Sequence, residues 1–152
     1  MSDLDAVDLQ LVSLLAADGR CSFTDLARQT GLSTSAVHQR VRRLEQRGAI
    51  TGYAASIDPQ LLGLPLTAFV SITPIDPAAV DEPPEKLVHL TAIEACHSVA
   101  GEESYILKVR VADPNELETL LQEIRSLASV RTRTTVVLST PWEGRDRAPG
   151  AN

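Results

Sequence analysis

Residues 40–47 read Arg-Val-Arg-Arg-Leu-Glu-Gln-Arg, so four guanidiniums stand in a short stretch that holds one acid, Glu45. A guanidinium is planar, permanently charged and fork-shaped, which suits it to phosphate oxygens and to the O6/N7 edge of guanine. Just upstream lie Ser33, Thr34, Ser35, His38 and Gln39, side chains able to exchange hydrogen bonds with base edges. Val37, Val41 and Leu44 recur at spacings of four and three, which puts them on one helical face and the polar set on the other. In a major groove, Ser35, His38 and Gln39 of such a helix would read bases, and Arg42 would grip a guanine with two hydrogen bonds. Arg40, Arg43 and Arg47 are better placed for phosphates, which fix position without carrying sequence information. The same face also fits the solvated side of a helical bundle, and the neighbouring elements decide between the two.

Those elements are three helices with repeated start and stop signals. Asp5-Ala6-Val7-Asp8 reads as a capping box, with Leu4 and Leu9 at staple spacing. Ser22-Phe23-Thr24-Asp25 repeats it between Cys21 and Leu26, and Ser33 opens a third helix between Leu32 and Val37 with only half the box, since Ala36 stands at its third position. Gly19, Gly31 and Gly48 occupy sites where a left-handed residue would end each helix. The helices are expected over 6–17, 23–30 and 34–47. The first buries Val7, Leu11, Leu14 and Leu15, the second Leu26 and Ala27. Only Gly31-Leu32-Ser33 separates the second from the third, so they must cross steeply, as in a helix-turn-helix.

Residues 1–52 are therefore expected to form a helix-turn-helix domain and 53–63 a linker. Ile50 to Ile57 alternates enough for a strand, and Asp58-Pro59 opens a turn through Leu61-Leu62-Gly63. Beyond it the pattern predicts strand 66–73, a Pro/Asp loop 74–84, helix 84–92, strands 94–100 and 104–111, helix 114–127 and strand 130–138. Asp113, Pro114 and Glu116 mark the start of the second helix. This βαββαβ order is ferredoxin-like and occupies 64–139, and residues 140–152 form a tail. The fold class is α+β. With both helices on one face, half of an apolar sheet is left uncovered, which suits a homodimer.

Composition narrows the function classes. The net charge of −6 is unevenly spread: residues 1–55 hold six arginines against six acids, while 56–152 hold eight basic and fourteen acidic groups. A local basic stripe matters more for DNA than that sum. No apolar run approaches the ~20 residues needed to span a bilayer, and the acidic start Met1-Ser2-Asp3-Leu4-Asp5 is unlike a secretory signal, so a cytoplasmic protein without a membrane partner is expected. Cys21 and Cys96 are too few for a disulfide framework, and His38, His89 and His97 lack metal-ligand spacing. Cys96 and His97 are adjacent on a strand and point to opposite faces, which argues against a metal or redox sensor. No metal, no catalytic residue and no cofactor is expected.

Several stretches resemble the leucine-responsive/asparagine-regulator family of transcription factors, also called feast/famine regulators. They are Leu4-Asp5-Ala6-Val7-Asp8, Asp18-Gly19-Arg20, Leu26-Ala27, Gly31-Leu32-Ser33 through Val41-Arg42-Arg43-Leu44-Glu45, and Gly48-Ala49-Ile50-Thr51-Gly52-Tyr53. Val99-Ala100-Gly101-Glu102-Glu103-Ser104-Tyr105 is similar to the hairpin of the family's effector domain. The resemblance covers about 3–140 and implies a winged-type helix-turn-helix, dimers that pair sheet to sheet and assemble further, commonly to octamers, and amino-acid effectors. It places the effector at Ala100, Gly101, Glu102, Glu103 and Ser104. Gly101 would let backbone N–H groups approach a carboxylate, and Glu102 or Glu103 would accept from the ammonium. Many members carry an acid directly before the strand aromatic, where this chain has Ser104.

The resemblance implies a regulator of genes for amino-acid metabolism or transport that binds double-stranded DNA. The alternative is an enzyme, since sirohaem decarboxylases are similar in two-domain layout. A polyanionic tetrapyrrole would need converging basic groups, and in the second domain, which is acidic, His97, Arg110, Arg131 and Arg133 are the only suggestive set.

Overall fold

The computed structural model describes residues 4–76, 78 and 82–144. Its described residues divide into two compact units, one from residues 4–56 with 142–144 and the other within 57–141.

In the first unit, helices α1 (Ala6–Ala17), α2 (Phe23–Thr30) and α3 (Thr34–Gln46) match the expected spans to within a residue. Local capping explains this. Asp5 accepts the Asp8 N–H at 2.8 Å, Ser22 the Asp25 N–H at 3.0 Å and Ser33 the Ala36 N–H at 3.2 Å. Gly31 and Gly48 take the left-handed conformation at φ 71° that ends α2 and α3. Gly19 does not: α1 stops in extended backbone at Asp18, and a Cβ on Gly19 would stand 3.4 Å from the Tyr53 ring. That glycine serves close approach rather than a left-handed cap. Leu11, Leu15, Leu26, Ala27, Val37, Val41 and Leu44 form the core.

The strand expected over 50–57 is not formed, and no wing strand accompanies the three helices among the described residues. Alternation supplies two side-chain faces, but a strand also needs a neighbour for its N–H and C=O groups.

The second unit is a four-stranded antiparallel sheet in the order β2-β3-β1-β4, the ferredoxin-like arrangement, with β1 Leu66–Pro74, β2 Ile93–Ser98, β3 Tyr105–Val111 and β4 Val130–Val136. Helix α4 (Pro83–Leu87) joins β1 to β2, and α5 (Pro114–Ala128) joins β3 to β4. Ala68, Val70 and Ile72 of β1 lie opposite Val109, Leu107 and Tyr105 of β3, and all six are buried with Leu117, Leu120 and Ile124 of α5.

Helix α4 is shorter than the expected 84–92. After Leu87 the chain turns, with the Leu90 N–H bonded to the Leu87 carbonyl and the Ile93 N–H to the Leu90 carbonyl. Leu87 and Leu90 thereby reach the core while Val88 is left 83% exposed. Strand β2 begins at Ile93 with an irregularity in register before Ala95 and ends at Ser98, short of the expected Ala100, where the hairpin turns back. The uncovered sheet face is also more polar than expected. It carries Thr67, Phe69, Ser71 and Thr73 of β1, opposite Arg110, Lys108 and Ile106 of β3, because the apolar residues of β1 and β3 fall mainly on the other phase of the alternation. Residues 77, 79–81 of the expected Pro/Asp loop and 145–152 of the expected tail lie outside the described residues.

Candidate functional site

Helix α3 buries Val37, Val41 and Leu44 against α1 and α2, and this fixes what the rest of its surface can do. Ser35, Gln39 and Arg42, at spacings of four and three, make an exposed stripe. Arg42 takes part in no ion pair among the described residues. Thr34 and Arg47 are exposed as well. Ser33 is committed to its cap, with Oγ also 3.1 Å from that of Ser35. His38 is exposed, with its ring held edge-on to Phe23 of α2 at a centroid distance of 5.0 Å.

Arg40 and Arg43 form a second stripe, and it faces α1. The Arg40 Nη1 lies 2.6 Å from Oδ1 of Asp8 and 2.7 Å from Oδ2 of Asp5, and the Arg43 Nη2 lies 3.1 Å from Oδ2 of Asp8. Hydrogen bonding to Arg40, with the Asp8 N–H as a second donor, holds the Asp5 carboxyl below its ordinary pKa. The guanidinium of Arg40 is in turn raised, first by Asp5 and then by Asp8. The head group of Arg40, expected at a phosphate, is engaged by two acids, and that of Arg43, half-exposed, is tethered to one. The basic stretch does have balancing acids. They come from α1, more than thirty residues away, which is why local sequence showed Glu45 alone. Glu45 itself accepts a hydrogen bond from the Tyr53 hydroxyl at 3.0 Å. Burial first, and this carboxylate second, raise the Tyr53 pKa above its ordinary value.

In the second unit, Val99 and Ser104 close the β2–β3 hairpin through an N–H to carbonyl bond of 3.1 Å. Ala100, Gly101 and Glu102 are exposed, and Glu103 and Ser104 half-buried. A concavity of about 250 Å3 opens beside the hairpin, lined by Ser71, Thr73, Glu102, Glu103, Arg131, Thr132 and Arg133. Of the five expected effector residues, Glu102 and Glu103 line it, whereas Ala100, Gly101 and Ser104 do not. The Glu103 carboxylate pairs with the Arg133 guanidinium. Arg131 and Arg133 were not expected here, yet the signal existed. They alternate along β4, and register sets them opposite Thr73 and Ser71 on the uncovered face. The site offers both guanidiniums for a carboxylate and carboxylates for an ammonium.

The basic set considered for a tetrapyrrole does not converge. His97 is on β2 and Arg131 and Arg133 are on β4, the opposite edges of the sheet, three strand spacings or ~14 Å apart. Arg110 pairs with Glu94, whose carboxyl it holds below the ordinary pKa with help from Lys108. No cluster of three or more metal-binding side chains occurs among the described residues. None of their helices is long and apolar enough to cross a membrane.

Comparison with known proteins settles the kinship. Residues 4–45 match the AsnC-type helix-turn-helix domain, and residues 67–146 match the Lrp/AsnC ligand binding domain. The chain belongs to the Lrp/AsnC family. The HTH-type transcriptional regulator LrpA of Mycobacterium tuberculosis is 53% identical over 146 residues, 96% of this chain and 97% of that protein. The leucine-responsive regulatory protein of Haemophilus influenzae is 40% identical over 139 residues, 89% of this chain and 84% of that protein. Among solved structures, the M. tuberculosis feast or famine regulatory protein complexed with L-methionine matches with a TM-score of 0.93 at 53% identity, covering 96% of this chain and 99% of that one. E. coli AsnC matches at a TM-score of 0.88 and 26% identity, covering 96% and 99%. The Lrp/AsnC relatives are transcriptional regulators, and this chain is one by the same two domains. The enzyme reading finds no support in them.

Proposed function

We propose that this Lrp/AsnC regulator docks the Ser35–Gln39–Arg42 stripe of α3 in the major groove of its operator, and that a free amino acid bound beside the 100–104 hairpin tunes that binding. The observation that carries the first part is the division of α3. One stripe is buried, one is bound to α1, and the remaining one is exposed and hydrogen-bonding, with Arg42 unpaired by any acid among the described residues. Thr34, His38 and Arg47 flank it, and the Arg43 side chain is half-exposed.

The second part rests on the mixed charge of the hairpin concavity, where Arg131 and Arg133 face Glu102 and Glu103. A relative complexed with L-methionine supports an amino acid as the effector class. Homodimers that assemble further, commonly to an octamer, would use the uncovered sheet face, on which Phe69 is 40% exposed. The protein works without cofactor, metal or catalysis, in the cytoplasm, on genes for amino-acid metabolism or transport.

Thermal shift against the twenty amino acids, with size-exclusion profiles beside it, tests the effector reading. One or a few amino acids should raise the melting temperature or shift the assembly. Gly101→Asp should abolish that response while leaving the fold intact, since a Cβ there meets only the Glu103 carboxylate at 3.7 Å. A full response in Gly101→Asp would place the effector elsewhere. Mobility shift of Arg42→Ala on a duplex selected in vitro by the unsubstituted protein tests the docking face, and undiminished binding would refute it.

A further inference from the structure

Asp8 is the one charged side chain buried among the described residues, at 2% exposure. It shares a stripe of α1 with Leu11 and Leu15, where spacing alone calls for an apolar residue. A carboxylate in that place forfeits its hydration unless cations meet it. Two do, and both come from α3. Arg40 approaches Oδ1 at 2.6 Å, and Arg43 approaches Oδ2 at 3.1 Å and Oδ1 at 3.3 Å. Asp5 completes the group through Arg40, so two acids cancel two guanidiniums. Leucines and valines already pack α3 against its neighbours, and a well-packed apolar residue can usually replace a buried ion pair without loss of stability. Stability is therefore a weak reason for a carboxylate at this position. A stronger one lies in what its partners would otherwise do.

Affinity for arbitrary DNA grows with every phosphate that a protein neutralises, and it competes directly with the operator. Without its α1 acids, α3 would offer Arg40 and Arg43 to phosphates on either side of Arg42. We propose that Asp8 is a positioning residue for DNA selectivity: it withholds the charge of Arg40 and Arg43 from phosphates, so that sequence-independent binding stays weak and Arg42 carries the discrimination. This rests on the reading that α3 docks on DNA.

The test uses the full chain and two duplexes, one of random sequence and one selected in vitro by the unsubstituted protein, titrated over a range of salt. Asp8→Asn keeps the shape, removes the charge and turns one of the two acceptor oxygens into an amide donor, so one guanidinium loses its partner. It should bind the random duplex more tightly at low salt, steepen the slope of log K against log[salt] by about 0.9, and lower the ratio of selected to random affinity. Arg40→Gln should leave the slope on both duplexes unchanged. An unmoved slope and ratio in a folded Asp8→Asn protein overturns the proposal, and so does an Arg40→Gln slope shallower by about 0.9. If circular dichroism shows Asp8→Asn unfolded, Arg40→Gln decides alone, because Arg43 still pairs with Asp8 there. Arg42→Ala run alongside separates two failures. Intact binding in that variant refutes the docking face and takes the proposal with it. Lost binding there, with Asp8→Asn and Arg40→Gln behaving contrary to expectation, refutes the role of Asp8 alone.

Discussion

Helix α3 and strand β3 are built from the same ingredients, an apolar row and a cationic row, and they treat their cations differently. On β3, Tyr105, Leu107, Val109 and Val111 are buried while Lys108 and Arg110 turn to the uncovered face, and both cations meet the single carboxylate of Glu94 on the neighbouring strand. On α3, Asp5 and Asp8 take Arg40 and Arg43, and Arg42 meets no acid among the described residues. A count of basic residues ranks the two elements by charge. Their use is decided by acids that arrive from other elements, across a helix interface in one case and a sheet ladder in the other.

Removing the apolar row of α3 should break this comparison most severely. Leu44 is fully buried under that helix, and Leu44→Ala should cost about 2–5 kcal/mol by urea denaturation and abolish binding to the selected duplex at working temperature. A stability loss with binding retained would mean that α3 needs no rigid platform to recognise DNA.

The smallest expected effect lies on β3. Hydrogen bonding to Arg110 first, and to Lys108 after it, lowers the Glu94 pKa. A lowered carboxylate pKa contributes stability that is present above its unfolded value and is lost as pH falls through the folded one. Glu94→Gln should therefore reduce stability at neutral pH by under ~1 kcal/mol, the cluster being partly solvated, and the gap from the unsubstituted protein should close in acid, below the usual carboxylate range. Melting temperatures of both proteins across pH measure it. With α3 as the docking element, the DNA salt slope should not move. A steeper slope in Glu94→Gln would put Lys108 and Arg110 within reach of phosphates and erase the contrast with α3.

What the sequence showed and what it hid divide along the range of the interactions. The bounds of α1, α2 and α3 were readable because Asp5, Ser22 and Ser33 cap helices within three residues of themselves. The βαββαβ succession of the second unit followed from alternating patterns and the Asp113–Pro114 start of α5, where Asp113 accepts the N–H groups of Asn115 and Glu116. The Asp8 carboxylate was misread for the opposite reason. It sits three residues after Asp5 and looks like the second half of a capping box, yet its oxygens are taken by Arg40 and Arg43. An acid on an apolar stripe was the available warning, because such a position demands a distant cation. Arg131 and Arg133 join the hairpin concavity through the register of β4 on β1, which their alternation along β4 allows but does not fix. The segment 50–57 shows the converse, a strand-like alternation with no partner to pair with among the described residues.

On this reading Arg42 of α3 grips a base, whereas Arg40 and Arg43 beside it, held by Asp5 and Asp8, do not. Affinities of the unsubstituted protein and Arg42→Ala, measured across single-base-pair variants of the selected duplex, test it most directly. The unsubstituted protein should lose about 1–3 kcal/mol when one particular G·C pair is replaced, and Arg42→Ala should be indifferent at that pair while still discriminating at others. Identical discrimination profiles for the two proteins would contradict the account.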